Sequence, residues 1–257
     1  IAFNAGIVAF LGMVVLLFIT FFVKLPYRIW LFTHRFLGVA FMFAGVHVLF
    51  ISSDVNNNPF LFWYMAFWIG VGISSFVYRS LLGNVFVRRA KYSVKKVKLL
   101  SGNVVAIEMD PVDNAIDFKP GQFVFLRFPS SGNEGIRNES HPFSIASVPQ
   151  EGSLRIYAKA LGDFTTNLKS LKIGSLAEIE GAFGRFSNAR FADKPQIWIA
   201  GGIGITPFLS LARTISSRSP GIDLFYVVNT REELIEQRAL AELLPLRYAQ
   251  FKYYPFV

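Results

Sequence analysis

Gln196-Ile-Trp-Ile-Ala-Gly-Gly-Ile-Gly-Ile-Thr-Pro207 is the stretch from which the rest of the chain is read. Ile197 to Ala200 is a short apolar run, which predicts a buried parallel strand. Gly201, Gly202 and Gly204 follow at once, and glycines let a chain turn tightly and bring its backbone N–H groups close to a ligand. Thr206 suits a helix cap and Pro207 the first helical position, ahead of the apolar run Phe208 to Ile215. Strand, glycine turn and helix start together form a site for an anion such as a pyrophosphate, with free N–H groups and the helix dipole facing it. The run departs from G-x-G-x-x-G in having Pro207 where the third glycine would stand. An ordinary strand-to-helix turn has the same local look, so the surrounding chain has to decide.

C-terminal to this turn the pattern continues in the same style. A helix over 207–217, a strand Leu224–Val228, a helix over 232–244 and a strand Gln250–Tyr254 make a βαβαβ half of a doubly wound sheet. N-terminal to it, from Tyr92 to Ile179, the pattern is short alternating strands: Ser93–Leu99, Val104–Met109, Phe123–Phe128, Phe143–Ala146, Leu154–Ala158 and Leu176–Ile179. Asp113-Asn114, Lys119-Pro120-Gly121 and Ser131-Gly132-Asn133 punctuate them as turns, which predicts a small antiparallel barrel.

The first third is of another kind. Hydrophobic residues make up 53% of the 257 residues and mean hydropathy is +0.42, too apolar for an average soluble domain. Residues 1–87 hold only Lys24, Arg28, Arg35, Asp54 and Arg79 as charged side chains. Ala5–Val23, Ile29–Ile51 and Phe60–Tyr78 are each long enough for a membrane span, at ~20 residues per crossing. The expected organisation is therefore membrane helices over 1–87, a barrel over 88–190 and an α/β domain, incomplete, over 191–257. Lys24 and Arg28 lie in the first loop, Ser52–Pro59 has no Lys or Arg, and Arg79, Arg88, Arg89, Lys91, Lys95, Lys96 and Lys98 follow the third span with no acid before Glu108. The positive-inside rule then puts the first loop and everything after residue 79 in the cytoplasm, with the basic run against the anionic inner leaflet. The net charge of +9 is accounted for in this way without a nucleic acid. There is no cysteine, which excludes disulfides and thiolate metal sites within the chain. Ile1 opens inside an apolar stretch with no initiator Met and no signal-peptide n-region, so the chain reads as a fragment.

Two of the three histidines, His34 and His47, stand in the second span. Ionisable residues within a span are functional candidates by default, and His is the usual haem ligand among them. Thirteen residues apart, they are separated by about 20 Å along a helix rising ~1.5 Å per residue, which suits one haem in each leaflet. Gly38, Ala40, Ala44 and Gly45 between them would leave room for flat macrocycles. At ~100° per residue the two side chains do not share a face of an ideal helix. The alternative is a pair of histidines hydrogen-bonding across a helix bundle. Each haem also needs a second axial ligand, which a further helix, upstream or from another chain, has to supply.

Taken in order, Lys119-Pro-Gly-Gln-Phe123, His141-Pro-Phe-Ser144, Gly162-Asp-Phe-Thr165, Glu180-Gly-Ala-Phe-Gly184 and the Gly201–Pro207 turn resemble the ferredoxin-NADP reductase superfamily, with its FAD barrel followed by an NADP domain. With His34 and His47 in a preceding span, nearly the whole chain resembles the NADPH oxidase and ferric reductase family of transmembrane flavocytochromes, in a bacterial-type form. The resemblance implies FAD, NADPH and two b-type haems, the second haem-bearing helix of the family carrying histidines at this spacing. It implies that His141, Pro142, Phe143 and Ser144 line the flavin, with the Ser144 hydroxyl near flavin N5, where it can donate or accept. Gly162 and Thr165 match a flavin-phosphate segment, with Lys159 and Arg155 as nearby cations, and Gly184 matches a close-packed turn beside the nicotinamide. Gly201, Gly202, Gly204, Thr206 and Pro207 match the nucleotide turn. Arg231 stands where NAD-preferring sites place Asp or Glu, and an Arg there can pair with a 2′-phosphate, which favours NADPH over NADH. Glu232 and Glu233 read as first-turn residues of the next helix. The family's Cys-Gly-Pro segment and C-terminal aromatic have no counterpart before Val257.

These readings describe an integral plasma-membrane oxidoreductase, passing electrons from cytoplasmic NADPH through FAD and two haems to an acceptor outside. Oxygen, giving superoxide, is favoured narrowly over a ferric chelate, because Ser52–Pro59 offers only Asp54 as a site for a chelate. A flavin reductase whose spans are an anchor, serving a cytoplasmic partner, and a non-enzymatic subunit remain as alternatives.

Overall fold

A backbone that crosses hydrocarbon has to satisfy its own polar groups, so an uncharged run there folds as a helix. In the computed structural model three such helices occupy the N-terminal third: α1 (Ala2–Phe22), α2 (Tyr27–Phe50) and α3 (Pro59–Phe76), the last continued by a π turn over Val77–Leu81. Ala2–Phe22, Ile29–Phe50 and Pro59–Ser80 are long and apolar enough to span a bilayer. Asn58 starts α3 by accepting a hydrogen bond from the Leu61 N–H at 3.2 Å, with Pro59 just inside. Phe3, Phe10, Phe18, Trp63 and Phe67 point outward, an apolar exterior that fits lipid rather than water. The structure describes all residues except 53, 83–86, 130–134, 188–192, 216–218, 238–239 and 241–250. The Ser131–Asn133 turn, the boundary at 190–191, residues 216–217 of the helix expected over 207–217, six of the thirteen residues of that expected over 232–244 and Gln250 lie outside the described residues; within the described ones the first helix ends at Ala212, and residues 232–236 form turns rather than the start of the second. The chain forms two compact units, Ile1–Val87 and Arg88–Val257.

In the second unit six strands make one antiparallel sheet in the order β4-β3-β6-β1-β2-β5. They are β1 (Ala90–Leu100), β2 (Val104–Pro111), β3 (Phe123–Arg127), β4 (His141–Ser144), β5 (Leu154–Lys159) and β6 (Leu176–Phe183). The sheet curls so that its edges meet: just beyond β4, the Ala146 N–H donates to the Arg155 carbonyl of β5 at 2.8 Å. Alternate residues, among them Tyr92, Val94, Ile107, Met109, Val124, Leu126, Ile156 and Ile179, fill the interior. β1 starts at Ala90, three residues before its expected start, and two further differences have a visible cause. β4 is His141–Ser144 rather than Phe143–Ala146, because Pro142 needs no ladder donor on an edge strand. β6 runs past Ile179 to Phe183, because Glu180 stays in the ladder opposite Phe125 and pairs with Arg89 at 3.5 Å, although its charge breaks the apolar alternation.

Three parallel strands, β7 (Gln196–Gly201), β8 (Ile222–Val227) and β9 (Phe251–Phe256), make a second sheet in that order. A short helix (Thr206–Ala212) follows β7, and Trp198, Ala200, Ile205, Phe208, Leu209, Leu224 and Tyr226 form its core. β7 is not buried on both faces as expected: Ile197 and Ile199 are 69% and 72% exposed, and Val227 and Phe256 lie open beside them. A parallel sheet is normally covered on both faces. Among the described residues only one face of this sheet is.

Candidate functional site

β4 splits its four residues between two faces. Pro142 and Ser144 stand opposite Phe125 and Phe123 of β3, on the outer face. There Phe123, Phe125 and Phe183 pack edge-on and tilted, with ring centres 5.7–5.9 Å apart and each ring partly open to solvent. Ser144 is half-buried at the margin of this aromatic patch, and its hydroxyl has no hydrogen-bond partner among the described residues. His141 and Phe143 face the other way, opposite buried Leu126 and Val124. The His141 ring stacks on Phe164 at 4.1 Å and its Nε2 lies 3.3 Å from the Glu139 carboxylate.

Phe164 belongs to α4 (Asp163–Asn167), which starts at Gly162. Its ring also meets Phe128 and Phe143, so this one aromatic joins the His141–Ser144 strand to the Gly162–Thr165 turn. The Thr165 hydroxyl is already engaged within that turn: it accepts from the Leu161 and Gly162 N–H groups at 3.0 and 3.1 Å and bonds the Gly162 carbonyl. Neither neighbouring cation is free for a phosphate. Arg155 pairs with Glu108 and Glu151, at 3.4 and 3.3 Å, and Lys159 pairs with Glu233 at 2.8 Å. Phe125, Phe164 and Phe183 carry no local signature beyond being aromatic, and sequence reading did not single them out. Gly184 accepts from the Gln122 side chain through its carbonyl, which closes the turn after β6.

The glycine turn opens at the end of β7. Gly202 takes φ +50°, and a Cβ placed on Gly201, Gly202 or Gly204 would meet no other atom within 4 Å. The space beside all three is open, as a site for a backbone-bound anion requires. Thr206 is not the cap. A 3-10 turn over Gly202–Ile205 leads into the helix α5 (Thr206–Ala212), so Thr206 is already helical and Pro207 comes second. The buried Thr206 hydroxyl instead donates to the Ile203 carbonyl at 3.1 Å. α5 is tied to the barrel beyond β4: Ser210 Oγ donates to the Ser147 carbonyl at 2.6 Å, and Arg213 donates to the Ala146 carbonyl at 2.9 Å and pairs with Glu151. Nucleotide turn and flavin-type strand are thus braced against each other. Arg231 is exposed at the start of a 3-10 turn, Arg231–Glu233, after β8. The Glu232 carboxyl is held below its usual range by its own N–H, the Thr230 hydroxyl and Arg231. A pocket of about 230 Å³ lies elsewhere, on the outer face of β1, β2 and β5, where Glu108 and Glu236 oppose Lys96, Lys98 and Arg155.

In the helical unit the His47 Nδ1–H donates to the Ala2 carbonyl of α1 at 2.9 Å, and a Cβ at Gly6 would collide with the His47 ring. In a neutral imidazole this bond puts the proton on Nδ1, so that Nε2 is the nitrogen left to bind a metal. His34 stacks on Trp30 at 4.8 Å, and its Nδ1 is buried with no partner. Each histidine fits as a single axial ligand. The expected room between them is not there. Phe76 fills the space over Gly38 and Ile69 that over Gly45, so these glycines serve close helix packing. Among the described residues no three His, Cys, Asp or Glu side chains come together as a metal site.

Residues 89–201 match a family of FAD-binding domains. Respiratory burst oxidase homolog protein E of Arabidopsis thaliana is 27% identical over 73% of this chain, more than Arg88–Val257 alone can supply, so that match enters the helical unit. By these matches the chain is similar to the NADPH oxidases and carries a domain like their FAD-binding one. NADPH oxidase 1 of Mus musculus is 28% identical over 58% of the chain. Of these two relatives the chain spans 22% and 25%. Methane monooxygenase component C of Methylosinus trichosporium is 32% identical over 51% of the chain and 39% of its own length. Among solved structures, a ferredoxin NADP+ reductase from Neisseria gonorrhoeae with bound FAD and NADP superposes with TM-score 0.56 at 24% identity, over 65% of this chain and 67% of that one. An Amycolatopsis cytochrome P450 reductase gives TM-score 0.57 at 23% identity, over 65% and 51%. The barrel with its attached parallel sheet is therefore the ferredoxin reductase fold.

Proposed function

We propose that this chain is the core of a plasma-membrane oxidoreductase that oxidises NADPH on the cytoplasmic side and delivers electrons to oxygen on the other side. Bound FAD would turn a two-electron hydride donor into one-electron transfers, and haem b would carry single electrons within the bilayer. The residues divide the remaining work. The Gly201, Gly202 and Gly204 backbone holds the NADPH diphosphate, and Arg231 pairs with the 2′-phosphate. The Phe123–Phe125–Phe183 patch gives an apolar wall for the flavin ring. Ser144 holds its hydroxyl for flavin N5, as donor or acceptor. The turn of Gly162 and Thr165 takes the flavin phosphates, with the Leu161 and Gly162 N–H groups and the Thr165 hydroxyl shaping it by their bonds to one another. His34 and His47 would each offer one ring nitrogen to a haem iron, with further helices supplying its remaining ligands.

The observation that carries this reading is the unpartnered Ser144 hydroxyl beside an aromatic patch, on a strand braced to the glycine turn by Ser147–Ser210 and Ala146–Arg213. A second reading is favoured by the His47–Ala2 bond and the filled space over Gly38 and Gly45: the histidines pack a membrane anchor for a flavin reductase with a cytoplasmic partner. The shared half of both readings is tested by anaerobic mixing of the FAD-loaded full chain with NADPH. Bleaching of the flavin absorbance is expected. A flavin that stays oxidised with NADPH and NADH alike, while dithionite reduces it, contradicts both.

A further inference from the structure

Strand β5 of the barrel ends against the turn that carries Arg231. Lys159 Nζ meets Glu233 Oε1 at 2.8 Å, with about a fifth of each side chain exposed. Two residues back along β5, on the same face, the Tyr157 hydroxyl donates to Glu236 Oε1 at 2.7 Å. Glu236 has φ +53°, a left-handed backbone that a non-glycine residue keeps only when its surroundings hold it there. The β1–β2 hairpin backs the same turn: a Cβ on Gly102 would stand 3.0 Å from Glu233 Cα. From behind, the Tyr226 hydroxyl donates to the Glu233 carbonyl at 3.1 Å. Within the turn the Glu233 N–H bonds the Thr230 carbonyl and the Leu234 N–H bonds the Arg231 carbonyl. Arg231 therefore sits in a single 3-10 turn whose far end is fixed to the barrel, while its own side chain is free to reach a ligand.

We infer that Lys159 and Tyr157 are positioning residues for nucleotide choice: through Glu233 and Glu236 the flavin barrel aims Arg231 at the 2′-phosphate that distinguishes NADPH from NADH. This rests on the reading of Arg231 above. A bidentate guanidinium–phosphate contact depends on direction more than the glycine-turn contacts shared by both nucleotides do. Loosening the turn should therefore weaken NADPH alone. The charge sign agrees: Lys159 holds the Glu233 carboxyl below its usual range, so the pair is complete at neutral pH. It is lost only as acid protonates Glu233, at pH values below the ordinary glutamate pKa.

The test is steady-state flavin reduction by the FAD-loaded full chain with NADPH and with NADH. Lys159→Met and Glu233→Gln should each raise KM for NADPH at least about 5-fold, the low end for coupling between linked sites, with kcat and KM for NADH unchanged. The reversed pair Lys159→Glu with Glu233→Lys, and the conservative Lys159→Arg, should recover most of the preference. Tyr157→Phe removes one hydroxyl and should lower the preference in the same direction, which keeps the test open if Lys159→Met fails to fold. FAD content reports folding. The inference is overturned if both nucleotides weaken together, if kcat falls with KM unchanged, if the reversed pair restores nothing, or if the unaltered chain has no preference for NADPH. A chain that takes electrons from neither nucleotide sinks the functional reading itself.

Discussion

Ser144 keeps a half-buried hydroxyl without a partner among the described residues, at the margin of an aromatic patch, which packing alone does not explain. If that hydroxyl serves flavin N5, Ser144→Ala should leave FAD content, haem content and stability as they are and slow flavin reduction by NADPH. One hydrogen bond is worth about 0.5–1.5 kcal/mol, so the slowing should reach roughly tenfold at most. Stopped-flow absorbance reads the rate, and an unchanged rate removes Ser144 from the site. At this scale His141–Ser144 and Gly201–Pro207 stood out in the sequence, the first by its His, Pro and Ser within a strand, the second by three glycines between an apolar run and a proline. Phe164 and the Lys159–Glu233 pair were not. Their meaning lies in partners 23 and 74 positions away along the chain, and nothing local marks a long-range contact. Lys159 shows the cost of reading locally: its neighbour in sequence is the flavin-phosphate segment, but its ion pair is with the nucleotide domain.

Among elements, the apolar helices were the plainest from sequence, since length and lack of charge suffice to mark them. Their packing was less so. Gly38 and Gly45 look like room in a list of residues, yet in three dimensions Phe76 and Ile69 occupy it. Gly6 gives a test of the α1–α2 contact. A Cβ there would strike the His47 ring and break its bond to Ala2. Breaking such an outer bond to a metal-bound histidine costs about 10–100-fold in metal affinity, so Gly6→Ala should lower the haem retained after purification. Gly70→Ala, whose Cβ meets nothing within 4 Å, should retain it. Equal haem content in the two variants contradicts His47 as a ligand held by α1. In the barrel, the strands themselves were readable from alternation, and their order was not. The far end of β6 was not, because Glu180 is buried by its pairing with Arg89, which periodicity cannot register.

Over the whole molecule, an apolar helical unit carries two histidines and a ferredoxin-reductase-like unit carries the flavin-type and nucleotide-type motifs. The proposed orientation, with the second unit inside, rests on the basic residues from Arg79 to Lys98 and the positive-inside rule. In that orientation His34, near the same end of α2 as the first loop, would lie in the inner leaflet and His47 in the outer. Electrons from NADPH should meet the His34 site first. Removing either ligand takes away one histidine from the same helix, but the consequences differ if the order is real.

The anaerobic reduced-minus-oxidised absorbance spectrum after adding NADPH tests this most directly, taken on the full chain in membranes with haem supplied, beside His34→Leu and His47→Leu. Leucine keeps the span apolar and cannot bind iron. The account predicts sharp b-type bands in the unaltered chain, bands from the inner haem in His47→Leu, and in His34→Leu a flavin that bleaches while any remaining haem stays oxidised until dithionite is added. Flavin bleaching with no haem bands under dithionite in the unaltered chain, or a His34→Leu chain whose remaining haem is reduced as fast as that of the unaltered protein, contradicts it.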